Sequence, residues 1–425
     1  MTPTSAIVSE SGPKRLEAVS DVRPLRIAML SIHSSPIGEL GTEDTGGMSV
    51  YIRELSQELG RAGHSVDIYT CADNRSRVNR VSLSENVRLI HLSIGHKGPV
   101  TKSMLFGHLP EVFQAFETYI TGSDVCYDLI HSHYWLSGEV GGLAQSRWYM
   151  PHVVMFHTTG IAKRVACGQE REPAVRLIAE KRLARKSDRV LAATGKERDL
   201  LMKYYSVPAE KIGMVPCGVN TERFHPVSRD LARKELGLRD TRFLVLYVGR
   251  FAPVKGLSRL MAASAHLRSN PKLTFMIVGG DGRQTRALTE LRRLARRASV
   301  DDIVRFQGRV EHDLLPLYYS AADVLVVPSY YESFGLVALE SLACGTPVIA
   351  TRVGAMDALI MDGKTGLIVD TPSPRSLASA IEKLMISNSG KSREEIRASV
   401  LSYGWSNIAS AVVREYATAL RSCTT

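Results

Sequence analysis

The chain has 425 residues, enough for two domains, and its composition, 44% hydrophobic and 23% charged, is that of an ordinary globular protein. Its net charge of +11 allows nucleic acid, an anionic membrane surface or phosphorylated small molecules as partners, and charge alone does not choose among them. The sequence has no zinc-finger spacing, RNA-binding aromatic signature or Lys/Arg tail, which argues against nucleic acid.

The cellular setting is predicted from cysteines and apolar runs. The six cysteines are scattered without C-x-x-C spacing, as in a reducing cytoplasm. Residues 1–23 lack the apolar core of a signal peptide and are predicted to be a disordered lead, and no apolar run approaches the ~20 residues that span a bilayer. Basic residues gather in 164–189 and 283–297, as a solvated helix surface or a membrane-surface patch. We therefore expect a cytoplasmic protein, at most peripheral to membranes.

The first half alternates between apolar runs and helical patterns. Residues 25–32 predict a buried strand, and a glycine-rich segment, a helical pattern over 49–62 and a strand over 66–70 follow. This order is a right-handed βαβ unit. Further strands are predicted over 87–92, 129–131, 152–157 and 189–193.

A second series begins near residue 219. Its strands are predicted over 243–248, 274–279, 304–308, 324–328, 347–351 and 366–369. The sequence therefore predicts an α/β protein with two doubly wound, mostly parallel sheets, in domains 24–217 and 218–402. The segment 403–425 holds a last helix, which is expected to cross back to the first domain. Ligands of such sheets bind beyond the carboxyl ends of the strands, which places a site in the cleft between the domains.

Phosphate-binding features occur in both halves. Gly46 and Gly47 precede the first helix, where glycine lets backbone N–H groups approach a phosphate; a tight turn without a ligand is the alternative. Arg250 ends a buried strand, and Lys255 lies five residues later, before a helix. Cations at a helix N-terminus oppose the helix dipole unless an anion is present, so the pair indicates a diphosphate site rather than two surface cations.

Two carboxylates, Glu332 and Glu340, are separated by seven residues. Ser333 is predicted to be the N-cap of a helix over 334–342, which places Glu332 just outside the helix and Glu340 two turns along it. This layout fits a nucleotide-sugar, with sugar hydroxyls on Glu332 and ribose hydroxyls on Glu340. The β-phosphate would bind the amides at the start of the helix, those of Phe334, Gly335 and Leu336.

A histidine-rich segment, 131–135, follows one predicted strand, and His157 follows another. No carboxylate or cysteine completes a metal-ligand set there, so we predict no metal site. Hydrogen bonding to a polyhydroxylated ligand is favoured for His157 and Tyr134, whereas His131 or His133 is expected to be structural.

Together these motifs resemble glycosyltransferase family 4 on the GT-B fold. The resemblance depends on YYESFGLVALESLACGTPVIA and GRFAPVKG, and it covers nearly the whole chain from Leu25 to the last helix. It implies two Rossmann-like domains that face a cleft, and a retaining transfer of a sugar from UDP-N-acetylglucosamine or UDP-glucose. The segments GTEDTGGMSVYIRELSQEL and HSHYWLSG are very similar to those of members that glycosylate inositol 3-phosphate, and less closely to members that act on fructose 6-phosphate.

The resemblance implies roles for residues on both sides of the cleft. The catalytic residues would be His157, Arg250, Lys255 and Glu332. Donor-binding residues would be Gly47, Arg250, Lys255, Arg309, Val310, Glu332, Phe334, Gly335, Leu336, Glu340 and Thr346, with the main chain of Arg309 and Val310 at the uracil. Acceptor-binding residues would be His33, Asp44, Ser49, Lys102, Tyr134, Thr158 and Arg176, with Arg182 as an alternative to Arg176. Ser49 stands where the inositol enzymes typically have Asn, and Glu39 where they often have Gln, which leaves the acceptor and the donor sugar open.

No cofactor is required in this interpretation, because the UDP-sugar is a co-substrate. Family members hold a magnesium ion through main-chain groups at the positions 319–322, where this sequence has no metal-ligand side chains, so a magnesium ion there would be non-catalytic. A homodimer is compatible with these features.

Three functions compete at this point. The first is a transferase acting on a phosphorylated polyol or sugar, which Lys102, Thr158 and Arg176 favour. The second is a membrane-surface transferase with a lipid-linked acceptor, for which 105–120 offers a modest amphipathic helix. The third is a nucleotide-sugar-binding protein or epimerase on the same fold, and the Arg-x4-Lys spacing with the glutamate pair favours transfer over it.

Overall fold

The computed structural model describes residues 23–38, 45–71, 80–95, 102–123, 125–167, 172–238, 243–270, 273–280, 285–387 and 392–422. Within these ranges the chain forms an eight-stranded sheet of order β3-β4-β2-β1-β5-β6-β7-β8 and a six-stranded sheet of order β11-β10-β9-β12-β13-β14. Among the described strands, β3 and β4 are antiparallel and the other neighbours are parallel. The predicted pair of doubly wound α/β sheets is confirmed.

The first sheet consists of β1 Arg26–Leu30, β2 Ser65–Cys71, β3 Arg80–Ser84, β4 Val87–Leu92, β5 Leu129–His133, β6 His152–Met155, β7 Arg189–Ala192 and β8 Ile212–Met214. Its helices are α1 Gly47–Arg61, α2 Lys102–Leu105, α3 Leu109–Gly122, α4 Trp135–Trp148, α5 Gly160–Cys167, α6 Ala174–Lys186 and α7 Gly195–Tyr205.

The second sheet consists of β9 Phe243–Val248, β10 Leu273–Val278, β11 Val304–Gly308, β12 Val324–Val327, β13 Val348–Thr351 and β14 Gly366–Val369. The helices of this half are α8 Arg229–Glu235, α9 Leu257–Leu267, α10 Arg286–Arg297, α11 Leu315–Ala321, α12 Leu336–Ala343, α13 Met356–Leu359, α14 Pro374–Ser387 and α15 Arg393–Ala398, and the last helix is α16 Trp405–Ser422.

The central strands are the ones that the sequence predicts best. Strands β1, β5, β9 and β12 are buried almost throughout, because helices cover both faces of a parallel sheet. Three of them, β1, β9 and β12, consist of nearly continuous apolar runs, whereas β5 has the sequence LIHSH. The edge strand β3 is mostly exposed, and β8 has only three residues, so neither has a comparable run. Sequence patterning consequently misses both.

The predicted N-cap at Ser333 is wrong. Helix α12 begins at Leu336, its N-cap is Gly335, and no side chain caps it. Gly335 has φ of 108°, in a region that residues with a Cβ adopt at a cost. The glycine allows the chain to turn sharply into the helix, so Phe334 and Gly335 lie in the loop before it.

The last helix, α16, packs on α1, β6 and β7 of the first domain. The Tyr416 hydroxyl lies 2.7 Å from His131 Nδ1, and Glu415 pairs with Arg189 at 2.5 Å. Trp405 meets Tyr51 edge to face, with ring centroids 5.3 Å apart. A continuous buried cluster therefore runs from the first sheet through α16 into the second half.

None of the helices in the described ranges combines the length and apolar content needed to cross a membrane.

Candidate active site

The carboxyl ends of the two sheets face each other across a cleft, and specific contacts bridge it. Thr158, beyond β6, lies 3.3 Å from the Tyr331 hydroxyl, beyond β12. A Cβ atom on Gly47, at the start of α1, would lie 3.2 Å from Leu336 Cδ1, at the start of α12. The N-termini of two helices therefore meet at the cleft, where their unpaired amides favour an anion.

Lys255 and Glu332, which the sequence assigned to the donor, contact each other directly. Lys255 Nζ lies 2.8 Å from both carboxylate oxygens of Glu332, and the Ser329 hydroxyl donates to Oε1 at 2.8 Å. The Glu332 side chain is only 9% exposed, so its charge is well shielded from water. Arg250 is exposed at the end of β9. The two cations thus follow β9 on the second domain, and Lys255 is fixed by the Glu332 carboxylate.

Glu340 belongs to a buried hydrogen-bonded group on α12. One carboxylate oxygen lies 3.0 Å from His312 Nε2, and the other accepts the Tyr319 hydroxyl at 2.7 Å. Both partners fix the carboxylate, and each oxygen retains a lone pair for a further donor such as a ribose hydroxyl. Arg309 and Val310 follow β11 and are partly buried, two to three residues before His312.

Thr346 is fully buried, and its hydroxyl donates to the Tyr319 carbonyl at 2.6 Å. The side chain therefore fixes the turn before β13 against α11. A contribution to the donor site would act through this packing, because the hydroxyl is already used within the protein.

Several predicted acceptor residues surround the ring of Tyr134. The His33 ring is tilted by 39° against it, with 4.4 Å between the ring centroids. Lys102 Nζ lies 5.5 Å from the ring centroid, and the Arg176 guanidinium lies 5.0 Å from it. Tyr134 itself has φ of 74°, an uncommon backbone conformation for a non-glycine residue. The structure thus assembles residues from α2, α6 and two strand ends into one cluster, in which Lys102 and Arg176 lie against an aromatic face.

Arg176 is less available than the sequence suggested. It is 3% exposed, its Nε donates to Glu180, Nη1 donates to Glu172, and Nη2 donates to the Thr158 carbonyl. Burial disfavours its charge, yet Glu180, Tyr134 and Glu172 together raise the pKa of Arg176. The guanidinium therefore fixes the backbone at Thr158, and its role toward an acceptor stays a prediction.

Two further acceptor residues differ in accessibility. Ser49 is fully buried, with its hydroxyl 2.7 Å from that of Ser34. Asp44 lies outside the described residues. Any contribution of Ser49 to an acceptor site would therefore act through the loop that holds Ser34.

The histidines of β5 and the loop after β6 form a buried row. The rings of His131 and His133 are 4.1 Å apart, and His133 Nδ1 lies 2.9 Å from His157 Nε2. Burial lowers the pKa of His131 and of His157 to about 3, and burial with the neighbouring His131 and His157 also lowers that of His133. All three rings are therefore neutral at pH 7, and among the described residues no group of His, Cys, Asp or Glu side chains is arranged to hold a metal ion.

The main chain at 319–322 does not fit a magnesium ion. Arg393 donates to the carbonyls of Ser320 and Ala322, Arg233 donates to that of Ala321, and Thr346 occupies that of Tyr319. Two guanidinium charges at these carbonyls oppose a divalent cation.

A cavity of about 310 Å³ opens in the cleft beside Glu332. Thr159 and Glu197 line it from the first domain, and Tyr331 and Arg352 line it from the second. The sequence missed Glu197 because it follows Thr194 in an ordinary helix start, where it accepts a hydrogen bond from the Ala193 amide at 2.8 Å. Tyr331 was equally missed, although it directly precedes Glu332.

Burial raises the pKa of Glu197 from 4.5 to about 7. The folded state therefore holds this proton more tightly than the unfolded chain does, and this contribution to stability is lost as pH rises from about 4.5 to about 7. Glu197→Gln should remove that loss. We expect the melting temperature of the variant, relative to the natural protein, to increase over this range, whereas Glu382→Gln, at an exposed position on α14, should give a constant difference. A constant difference for Glu197→Gln as well would show that the carboxyl titrates normally.

Two glycosyltransferase family models together match most of the chain. Residues 45–223 match the family model described as Glycosyltransferase Family 4, and residues 228–400 match that described as Glycosyl transferases group 1. D-inositol 3-phosphate glycosyltransferase 2 of Catenulispora acidiphila is 38% identical over 411 residues, which cover 92% of this chain and 95% of the relative. D-inositol 3-phosphate glycosyltransferase of Streptomyces bingchenggensis is 39% identical over 420 residues, which cover 94% and 90%.

A solved structure resembles both halves together. Sucrose-phosphate synthase from Thermosynechococcus elongatus superposes with a TM-score of 0.85 at 34% identity, covering 92% of this chain and 98% of that one.

Proposed function

Because the chain belongs to the glycosyltransferase family that these relatives define, and has the GT-B fold, we propose that it transfers a sugar from a UDP-sugar, with retention, to a phosphorylated acceptor. The observation that carries the proposal is the pairing of Lys255 with Glu332 beside the start of α12, directly across the cleft from the Tyr134 cluster. A nucleotide-sugar needs cations and amides for its diphosphate and a carboxylate for its sugar hydroxyls, and these groups occur together here.

The donor would bind along the second domain. Its diphosphate would meet Arg250, Lys255 and the α12 amides, with the nucleoside near Glu340 and the main chain at Arg309 and Val310. The sugar would lie between Glu332 and His157, beside the cavity. UDP-N-acetylglucosamine and UDP-glucose both fit this proposal.

Retention follows from the family resemblance, and the carboxyl groups of the first domain bear on whether a covalent intermediate forms. Glu197 lines the cavity, but its carboxyl group is held toward its own chain by the Ala193 amide at 2.8 Å, and burial raises its pKa to about 7, so that a large fraction is protonated at neutral pH. Glu180 is fully buried and accepts the Gly160 amide at 2.9 Å. We therefore propose that no covalent glycosyl-enzyme forms, and that the departing phosphate, stabilised by Arg250 and Lys255, accepts the proton of the acceptor on the same face of the sugar. Proton NMR of fresh product tests retention, and an inverted anomeric centre would contradict it.

The acceptor phosphate would bind at the Tyr134 cluster. Inositol 3-phosphate is the first candidate, because the relatives named for it are 38–39% identical over most of the chain. Fructose 6-phosphate is the second candidate, because the sucrose-phosphate synthase structure superposes on this chain with a TM-score of 0.85. The lipid-linked alternative is weakened by the packing of α3, whose Leu109, Val112 and Phe116 are buried in the first domain and leave no apolar face on that helix for a membrane.

Comparison of each phosphorylated acceptor with its dephosphorylated form tests this proposal. Lys102→Ala should lower kcat/KM for the preferred phosphorylated acceptor by about tenfold, the loss of one charge-assisted contact, while activity on the unphosphorylated form stays unchanged. Lys181→Ala, at an exposed position on α6, is the matched control. Arg176→Ala is a poorer test because it strands the buried Glu180. Equal kcat/KM with and without the phosphate would contradict the phosphate pocket.

A further inference from the structure

We propose that His133 is a positioning residue, which donates its Nδ1 hydrogen to His157 Nε2 and thereby fixes His157 as the tautomer that presents an Nδ1–H donor. This inference rests on the proposed transferase function for its catalytic meaning. The tautomer itself is a property of the protein alone, so it can be tested without substrate.

The geometry leaves two arrangements. His133 Nδ1 and His157 Nε2 are 2.9 Å apart, so one hydrogen lies between them and belongs to one ring. If it belongs to His133, then His133 Nε2 carries only a lone pair and His157 carries its hydrogen on Nδ1. If it belongs to His157, the hydrogen of His157 is on Nε2 and the hydrogen of His133 is on its own Nε2. His157 Nδ1 is then an acceptor. Both rings are neutral in either case.

The surroundings of His133 Nε2 decide between them. This nitrogen is buried and has no hydrogen-bond partner among the described residues, and the His133 side chain is fully buried. An N–H group without an acceptor inside a protein is rarer and more costly than an acceptor without a donor. The hydrogen therefore belongs on Nδ1 of His133, where it has a partner. Burial of all three histidines, which lowers their pKa values, removes the doubly protonated ring that would satisfy both sides.

The consequence concerns Nδ1 of His157, the ring nitrogen that does not face His133. His157 has φ of 58° and directly precedes Thr158, the residue that touches Tyr331 across the cleft. Unlike His131 and His133, which are fully buried, the residue is partly exposed. With its hydrogen on Nδ1, His157 offers a donor to a sugar oxygen. The opposite tautomer would offer a lone pair, the group that a general base needs. The buried partner on β5 therefore selects between two chemical roles.

NMR of the protein with ¹⁵N-labelled histidine tests the assignment directly. We expect the protonated-type nitrogen shift on Nδ1 and the unprotonated-type shift on Nε2 for both His133 and His157, with the signals assigned by single His→Gln variants. An Nε2–H tautomer at His157 would overturn the proposal even if the protein is a fully active transferase. Conversely, the expected tautomer without transferase activity would refute the proposed function and leave this inference standing.

A matched pair of variants provides the second test. His133→Asn places an amide N–H near the position of Nδ1, whereas His133→Asp places a carboxylate there that can only accept. We expect Asn to retain the Nδ1–H tautomer at His157 and a kcat within a few-fold of the natural protein, and Asp to move the hydrogen to Nε2 and to lower kcat by at least about tenfold, with the KM for the donor little changed. Equal kcat for the two variants, both shown to be folded by circular dichroism, would contradict a positioning role.

Discussion

Lys255→Ala should lower kcat/KM for the UDP-sugar by about tenfold to a hundredfold, because a hydrogen bond between charged groups contributes about 1.5–3 kcal/mol and each 1.4 kcal/mol is a factor of ten. The substitution also removes the cation that lies 2.8 Å from both oxygens of Glu332. A shielded carboxylate without its partner repels the diphosphate, so both losses act in the same direction. Initial rates at limiting and at saturating donor separate binding from turnover.

The matched control for this prediction is Arg268→Ala. Arg268 is an exposed cation at the opposite end of α9, so its removal changes the net charge equally without touching the cleft. Its kinetics should be those of the natural protein. Unchanged rates for Lys255→Ala at both donor concentrations would remove Lys255 from the donor site.

Gly335→Ala should lower the free energy of unfolding by roughly 2–4 kcal/mol and weaken donor binding as well. The residue has φ of 108°, and a Cβ atom there would lie 2.2 Å from Met356 Cε. The backbone strain and the collision both displace the amides that begin α12. Urea unfolding measures the stability, and nucleotide binding by calorimetry measures the site.

Two companion variants separate the causes. Gly363 also has positive φ, 72°, but a Cβ atom there would meet nothing within 4 Å, so Gly363→Ala should show the backbone cost alone, about 1–2 kcal/mol. Met356→Ala combined with Gly335→Ala should destabilise by less than the sum of the two single changes, because truncation of Met356 removes the atom with which the new Cβ collides. Additive effects would mean that Met356 moves aside freely, and the cost at Gly335 would then be backbone strain only.

The sequence by itself determined the two sheets and the sheet edge at which Arg250, Lys255 and Glu332 lie. Continuous apolar runs predict buried parallel strands, as in β9 and β12, and the residues that follow such strands lie at one edge of the sheet. Arg250, Lys255 and Glu332 could be placed together on this basis, before any distance was known. Local signals were sufficient because these residues are positioned by the strand that immediately precedes them.

Tertiary structure decided the features that depend on partners distant in sequence. A serine before an apolar helix indicates an N-cap, yet the N-cap is Gly335. Met356, on another helix, leaves no room for a side chain at that position. Arg176 has the charge expected of a phosphate ligand, but Glu180 and the Thr158 carbonyl occupy its donors. The proposed tautomer of His157 depends on the ring of His133, 24 positions earlier in the chain. It also depends on His133 Nε2, which has no hydrogen-bond partner among the described residues. Hydrogen bonds and packing between distant segments produce no periodic pattern in the sequence, because the two partners come together only in the folded structure.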